Sequence, residues 1–219
     1  SYDDLSDGVW YLHMRARGDG GDWSETAHRA MRVDRSAPQV KITPDPTQLG
    51  NGGWFNKPVT FTISGDDGTG SGIKTIEYSF DGGSWLLYEG SLQFDAETPL
   101  TTISARATDV AGHLSETVSA TFGLDLSAPT SVVDPGCFFS DLCVAEVFVD
   151  ENGNEYLQLA GELDGALSGV GGVSIQIGEE NVTAATDWGE DSWSYSTSTE
   201  LGAGCHNFSI WAEDNAGNV

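Results

Sequence analysis

The chain has 219 residues, with 34 Asp and Glu against 9 Lys and Arg, so its formal net charge at pH 7 is -25. A surface this negative repels nucleic-acid phosphates and anionic lipid headgroups, which argues against nucleic-acid binding. No apolar run approaches the roughly 18 residues that a membrane-spanning helix requires, so this segment is not expected to insert into a membrane.

The first predicted element is a hairpin within residues 1–36, and an internal repeat identifies it. Residues 15–38 read RARGDGGDWSETAHRAMRVDRSAP and residues 106–129 read RATDVAGHLSETVSATFGLDLSAP, and they align without a gap at an offset of 91 residues. That offset matches the length of one small β-sandwich. A third partial copy, AEDNAG at 212–217, matches ATDVAG at 107–112. The sequence therefore predicts tandem repeats.

The matched segments have the alternation typical of strands. Residues 102–107 (TISARA) and 207–212 (NFSIWA) alternate apolar and polar side chains with a period of two. A turn containing Asp and Gly follows each, and in the first two copies a second alternating run completes a hairpin. Ser-Ala-Pro then ends the hairpin, because proline lacks a backbone donor and favours extended geometry before it. Linkers are therefore predicted at residues 35–38 and 126–129.

One complete unit lies between these linkers. Residues 59–63 and 73–80 alternate as strands, residues 81–83 (DGG) predict a tight turn with positive φ, and residues 84–88 return as the partner strand. Helical periodicity is absent. Short strands separated by turn signals every 8 to 12 residues or so are typical of an all-β sandwich.

The sequence thus predicts an all-β chain of tandem immunoglobulin-like β-sandwiches, one complete and two partial or atypical. Residues 1–36 are expected to be the C-terminal hairpin of a truncated domain, because an isolated hairpin is marginal in water. Residues 37–127 are expected to be the complete sandwich. Residues 128–219 are expected to be a sandwich with a cysteine-containing N-terminal loop and without its final strand. We therefore expect the natural protein to continue in both directions.

The runs IEYSFDGGSWLLYEGSL at 76–92 and ARATDVAGHLSET at 105–117 resemble the bacterial immunoglobulin-like repeats of large surface and secreted proteins. In that family a DGG-x-W-x-x-Y hairpin precedes an RATDxAGN turn. The resemblance covers most of residues 37–127, whereas residues 130–165 depart from it. It implies a stalk, spacer or adhesive module whose partners are neighbouring repeats or other copies of the protein, and it implies no particular ligand.

Cysteine usage indicates an oxidising compartment. Cys137 and Cys143 bracket five residues, a spacing compatible with a small loop disulfide, and Cys205 lies far along the chain. Three cysteines cannot all pair within the chain, and the sequence leaves open which one is left over. A zinc site is disfavoured, because no Cys-x-x-Cys spacing occurs.

One segment contains half of a calcium-binding pattern. Asp150, Asn152 and Asn154 place oxygen ligands at alternate positions, as at the start of a calcium loop. Glu155 stands where such a loop has glycine, and no distal glutamate follows in register. Asn152-Gly153 is also a preferred hairpin turn, so the pattern favours a turn over calcium, the one cofactor left open.

Arg17-Gly18-Asp19 spells an integrin-type tripeptide at the predicted tip of the first hairpin, where it is accessible. The aligned residues of the next copy are Thr108-Asp109-Val110, and a glycine-rich tip beside an arginine also produces this tripeptide by chance. Attachment to a host surface through these three residues is thus a secondary expectation.

The tryptophans give two alternatives. Trp85, Trp188, Trp193 and Trp211 fall in or near strands, and they are expected in the core because aromatic rings supply large buried area to small domains. Exposed on one face, they would instead form a platform on which sugars stack.

No catalytic pattern is present in the sequence. The four histidines are scattered, and neither a Gly-x-Ser-x-Gly nor a His-Glu-x-x-His motif occurs. The predicted function is therefore a structural or adhesive segment of an extracellular or cell-surface microbial protein, not an enzyme. The alternative is a carbohydrate-binding accessory module of a secreted hydrolase, with a polysaccharide as its partner.

Overall fold

The computed structural model describes residues 4–47, 50–133, 138–139, 144–145, 147–149, 151, 155–164, 167–177, 183–185, 187–189, 191–197 and 208–219. Six residues singled out in the sequence lie outside these ranges: Cys137, Cys143 and Cys205, and Asp150, Asn152 and Asn154. The disulfide and the calcium loop therefore stay predictions.

Strands dominate the described residues. The strands, in chain order, are β1 (Gly8–Met14), β2 (Ala27–Val33), β3 (Gln39–Asp45), β4 (Trp54–Phe55), β5 (Val59–Asp66), β6 (Ile73–Phe80), β7 (Leu86–Leu87), β8 (Leu92–Phe94), β9 (Thr98–Asp109), β10 (Val118–Leu124), β11 (Thr130–Val133), β12 (Phe138–Phe139), β13 (Val144–Ala145), β14 (Val147–Val149), β15 (Glu155–Asp164), β16 (Val170–Ile177), β17 (Thr183–Ala184), β18 (Asp187–Trp188), β19 (Ser192–Thr197) and β20 (Phe208–Asp214). A short 3-10 turn covers Asn51–Gly53. Within the described ranges, no helix has the length and apolar character needed to cross a membrane.

The first hairpin pairs β1 with β2 in antiparallel register, from Gly8 opposite Val33 to Met14 opposite Ala27. It forms a two-stranded sheet of its own. Large side chains are exposed on both faces, since Tyr11 is 65% exposed and Met14 is 56% exposed. The hairpin predicted within residues 1–36 therefore forms without fully burying any of its apolar side chains.

Residues 39–124 contribute two sheets, with strand orders β3-β5-β8 and β4-β10-β9-β6-β7. Strands that are close in sequence and divided over two sheets are typical of a β-sandwich. Alternation decides which side chains are buried: on β9, Ile103, Ala105 and Ala107 are at most 1% exposed. The predicted tight turn is present, with left-handed φ values of 48° at Asp81 and 72° at Gly82.

Residues 130–214 contribute two larger sheets, β11-β15-β19-β18, with β14 beside β15, and β17-β16-β20, and a two-stranded sheet β12-β13. A single buried cluster combines side chains of both sheets. It contains Leu159, Leu163, Trp193 and Tyr195 from the first sheet, and Val173, Ile175, Ile177 and Ala212 from the second. Two facing sheets around one apolar cluster make this region a β-sandwich.

The chain separates into two compact units. One comprises Ser1–Pro46, Thr60–Gln93 and Thr101–Thr121, and the other comprises Thr47–Val59, Phe94–Leu100 and Phe122–Val219. The domain limits expected from the sequence, near residues 36 and 127, stay predictions.

The all-β fold class predicted from the sequence is confirmed. The core prediction for tryptophan is confirmed for Trp193, which is 2% exposed, and wrong for Trp188, which is 41% exposed on the edge strand β18. An edge strand has one neighbour fewer to cover its side chains, which accounts for this exposure. Of residues 84–88, only Leu86–Leu87 forms a strand.

Candidate functional site

Two segments of the form Asp-x-Ser-Ala-Pro occur in the chain, at residues 34–38 and 125–129. The sequence predicts that both are linkers, and we call them the first and the second linker. Their first residues are buried: the side chain of Asp34 is 6% exposed, and Asp125 is fully buried. Burying a carboxylate is unfavourable unless hydrogen bonds compensate for the lost water. The groups that compensate these two aspartates form the candidate site.

Asp34 is held from the loop between β5 and β6. Ser71 N donates to Asp34 Oδ2 at 2.7 Å, and Ser36 N donates to Oδ1 at 3.3 Å. On the other side, Asp7 accepts hydrogen bonds from Arg35 N at 2.8 Å and from Ser36 Oγ. The hydrogen bond from Ser36 lowers the pKa of Asp7 and outweighs the opposing effect of burial. The first linker is therefore held by carboxylate contacts on both sides.

Asp109, the last residue of β9, is fully buried beside this linker. Its Oδ1 accepts hydrogen bonds from Gly112 N at 2.5 Å and His113 N at 2.8 Å, and its Oδ2 lies 2.8 Å from His113 Nδ1. Burial alone would raise the pKa of Asp109, but the hydrogen bonds from His113 and Gly112 lower it below its ordinary value. His113 Nδ1 also lies 4.0 Å from Asp34 Oδ1, so it links the end of β9 to the linker.

The second linker has the same contacts. Ser168 N donates to Asp125 Oδ2 at 2.6 Å, and Ser127 N donates to Oδ1 at 3.1 Å. Glu97 takes the place of Asp7, since its Oε1 accepts hydrogen bonds from Leu126 N at 3.0 Å and Ser127 Oγ at 2.8 Å.

Asp214 and Asn218 complete the second linker as Asp109 and His113 complete the first. Asn218 N donates to Asp214 Oδ1 at 2.9 Å, and Asn218 Nδ2 donates to Oδ2 at 2.8 Å. Asn218 Nδ2 also reaches the linker backbone, at 3.0 Å from Asp125 O and 3.3 Å from Ser127 O. The linker is thus fixed by a neutral amide.

We name these two groups the first clamp and the second clamp. The first clamp comprises Asp7, Asp34, Ser71, Asp109 and His113, and the second comprises Glu97, Asp125, Ser168, Asp214 and Asn218. The backbone around them also agrees: Asp109 lies opposite Ile73 and Asp214 lies opposite Val170, and in both pairs a register shift follows at once. The same bulge therefore places the loop serine and the strand-end aspartate in both copies.

The first clamp is a hydrogen-bonded group of acidic residues and one histidine. The ligand-type atoms of Asp34, Asp109 and His113 lie within 4.8 Å of one another. Backbone N–H groups and the imidazole already engage the carboxylate oxygens. Hydrogen bonds therefore hold this group together.

In the repeat alignment Asp34 matches Asp125 and Asp109 matches Asp214, but the sequence indicated no role for these aspartates. Ser71 and Ser168 escaped the alignment, because they are 97 residues apart whereas the linker aspartates are 91 apart. The available signals were an aspartate at a fixed place before Ser-Ala-Pro in two copies, and the aspartate that ATDVAG and AEDNAG share.

The tripeptide Arg17-Gly18-Asp19 lies in the exposed loop of the first hairpin, as expected. Arg17 is turned back onto this loop, since its Nε donates to Gly21 O at 3.0 Å and its guanidinium lies 5.7 Å from the centre of the Trp23 ring. Host attachment through this tripeptide stays a prediction.

A shallow groove of about 540 Å³ lies on the last sandwich. It is lined by Ala160, Gly161, Glu162, Asp187, Trp188, Gly189, Ser192, Trp193 and Ser194. Trp188 is the exposed aromatic ring of this lining, and two carboxylates and two hydroxyls accompany it.

No protein-family model matches the chain, and no curated protein matches it significantly. Among solved structures, the chain is similar to fibronectin(III)-like modules of CbhA from Clostridium thermocellum, with 14% identity, a TM-score of 0.37 and coverage of 82% of this chain and 90% of that one. It is similar to the FN1–FN3 domains of chicken CNTN1, with 15% identity, a TM-score of 0.33 and coverage of 94% and 73%. It is also similar to a 1.5-MDa bacterial ice-binding adhesin, with 16% identity, a TM-score of 0.29 and coverage of 98% and 76%. At these identities and scores, the functional conclusion depends on the contacts of the chain itself.

Proposed function

We propose that this chain is a non-catalytic structural segment of an extracellular or cell-surface protein, in which clamped linkers restrict bending between successive repeats. The observation that supports this most strongly is the recurrence of the clamp. Both linkers bury an aspartate against the same loop, the same strand end and an upstream carboxylate. A linker held in this way transmits the orientation of one repeat to the next, whereas a solvated linker does not.

The chemistry of the clamps supports a mechanical role. The aspartates are fully or almost fully buried, and their oxygens accept hydrogen bonds from neighbouring backbone groups. Acidic groups that would serve as acids or bases in a reaction need access to a substrate. Here the same groups bind the chain, so the partners we propose are neighbouring repeats and other copies of the protein.

The substitution Asp125→Asn tests this function. Asparagine keeps the volume but replaces one acceptor oxygen by an NH₂ group, which must then face the N–H of Ser127 or Ser168. We expect a loss of about 1.5–3 kcal/mol in the free energy of unfolding. We also expect increased motion of the amides of residues 126–129, measured by ¹⁵N relaxation.

Asp164→Asn is the matched control, because Asp164 is an exposed residue at the end of β15. It should change neither quantity. Linker amides that are as mobile in Asp125→Asn as in the wild type would contradict the proposed function.

A second candidate function, binding of a neutral polysaccharide, is supported by the groove beside Trp188. An exposed indole stacks on the apolar face of a sugar ring, while Glu162, Asp187 and the two serines accept or donate hydrogen bonds to hydroxyls. The net charge of -25 disfavours acidic polysaccharides.

Affinity electrophoresis through gels that contain hydroxyethylcellulose, laminarin or dextran tests this candidate. Retention should be lost in Trp188→Ala and kept in Trp23→Ala, which removes an exposed tryptophan of the first hairpin. Equal migration of both variants and the wild type in every gel would exclude it.

A further inference from the structure

The two clamps differ at one position that contacts the linker. In the second clamp Asn218 Nδ2 donates to two linker carbonyls, at Asp125 and Ser127. In the first clamp His113 faces the linker through its ring, and the linker group that it meets is the carboxylate of Asp34 at 4.0 Å. A hydrogen bond from an amide does not depend on protonation, whereas an attraction between an imidazolium and a carboxylate does.

Three carboxylates from different elements act on His113: Asp109 lies 2.8 Å and Asp34 lies 4.0 Å from its Nδ1, and the negative charge of Asp67 also raises its pKa. Asp109 lies at the end of β9, Asp34 lies in the linker, and Asp67 lies in the loop after β5. Asp67 Oδ2 accepts a hydrogen bond from Gly72 N at 2.6 Å, and its Oδ1 is buried without a hydrogen-bond partner. Without a positive charge on the ring, these carboxylates repel one another across a partly buried space.

We propose that the strength with which the first clamp holds its linker depends on pH, and that the strength of the second clamp does not. This inference rests on the proposed function, since it concerns how the same linkers are held. The protonated ring of His113 offsets part of the negative charge of Asp34, Asp67 and Asp109 and so favours the contact of Asp34 with Ser71. Loss of that proton to solvent weakens the hydrogen bond that Asp34 accepts from Ser71 N. The imidazole exchanges protons readily, because 37% of its side-chain surface is exposed.

The direction of the response follows from the shifts of both partners. The hydrogen bond with Asp109 raises the pKa of His113 above its ordinary value of 6.5, against the opposing effect of partial burial, and the charges of Asp109, Asp34 and Asp67 add to the rise. Its contribution is therefore complete below pH 6.5 and is lost as the pH rises through the raised pKa. The pKa of Asp109 is lowered from 3.8, so its contribution is present above pH 3.8 and is lost as the pH falls through the lowered pKa. The first clamp is strongest between these two limits.

Amide hydrogen exchange of the whole chain tests the inference, because each clamp has a reporter. Ser71 N–H donates to Asp34 and Ser168 N–H donates to Asp125. After correction for the intrinsic pH dependence of exchange, protection of Ser71 should fall severalfold from acidic to alkaline pH, while protection of Ser168 should stay constant. In His113→Asn, the change at Ser71 should disappear. In the reciprocal variant Asn218→His, a change should appear at Ser168.

The wild-type comparison requires no variant and is decisive even if a substitution impairs folding. If Ser71 and Ser168 respond equally to pH, or if Ser71 keeps its response in His113→Asn, the pH response is not due to His113 and the inference is wrong. If Ser71 is well protected at both pH values, the inference fails and the clamp stands. If Ser71 and Ser168 are unprotected at both pH values, the proposed clamp function itself fails.

Discussion

Two hairpins of closely related sequence, β1–β2 and β9–β10, have opposite surroundings. Ile103 and Ala105 of β9 are fully buried. Their counterparts 91 residues earlier are not, since Leu12 is half-buried and Met14 is 56% exposed. Both hairpins nevertheless have the same pairing at the turn, since the antiparallel bridges Arg17–Trp23 and Thr108–Leu114 lie at aligned positions. Strand pairing and turn geometry are therefore encoded locally, while burial depends on a second sheet, which in the described part of the chain accompanies β9–β10 and not β1–β2.

The largest expected difference between the hairpins concerns their inward-facing aliphatic residues. Ile103→Ala should cost about 2–5 kcal/mol in the free energy of unfolding, because it leaves a cavity between two sheets. Leu12→Ala, at the aligned position of the first hairpin, should cost about 1 kcal/mol or less, as expected for a site without a closed core around it. Urea denaturation followed by circular dichroism measures both. Equal losses would mean that the first hairpin is buried in solution.

The aspartate at the end of β9 should give the next largest difference. Asp109→Asn removes a buried charge that receives N–H donors from Gly112 and His113, so it should lower the thermal midpoint. Gly18 occupies the aligned position of the first hairpin, and a Cβ added there meets no atom within 4 Å. Gly18→Asp should therefore leave the midpoint unchanged. Calorimetry of both variants separates them, and a stable Asp109→Asn protein would remove the support for the first clamp.

The smallest difference is expected at an arginine that both hairpins share. Arg106 lies 4.1 Å above the Trp85 ring and 2.9 Å from Glu77, and Arg15 lies 4.4 Å above the Trp23 ring. Each ring contact should contribute about 0.5–1 kcal/mol. Double-mutant cycles of each arginine with its tryptophan should give similar coupling energies in both hairpins. A coupling energy confined to Arg106 would indicate that the ion pair with Glu77 is what orients the guanidinium.

The alternation of residues 102–107, the repeat offset and the DGG turn were sufficient to predict strands, hairpins and the all-β class. They could not predict which copy is buried, because alternation is the same in both. Trp188 shows the same limit: its strand was expected, but its exposure follows from a position at the sheet edge that only topology reveals.

The clamps were partly visible in the sequence. Asp34 and Asp125 stood out as matching positions, since they precede identical Ser-Ala-Pro triplets. Their partners Ser71 and Ser168 could not be found by alignment, because the chain segments that separate them from the linker aspartates differ in length between the copies. A contact between residues at unequal separations leaves no fixed spacing for a repeat search to detect.

Ser168 follows Asp125 by 43 residues, whereas Ser71 follows Asp34 by 37. Insertions between the linker aspartate and the loop serine are therefore compatible with the clamp, provided that the residues of the clamp are kept. Under the proposed function, repeats of different size can therefore be joined by the same kind of clamp, because the clamp sets no fixed length for the chain between its anchors.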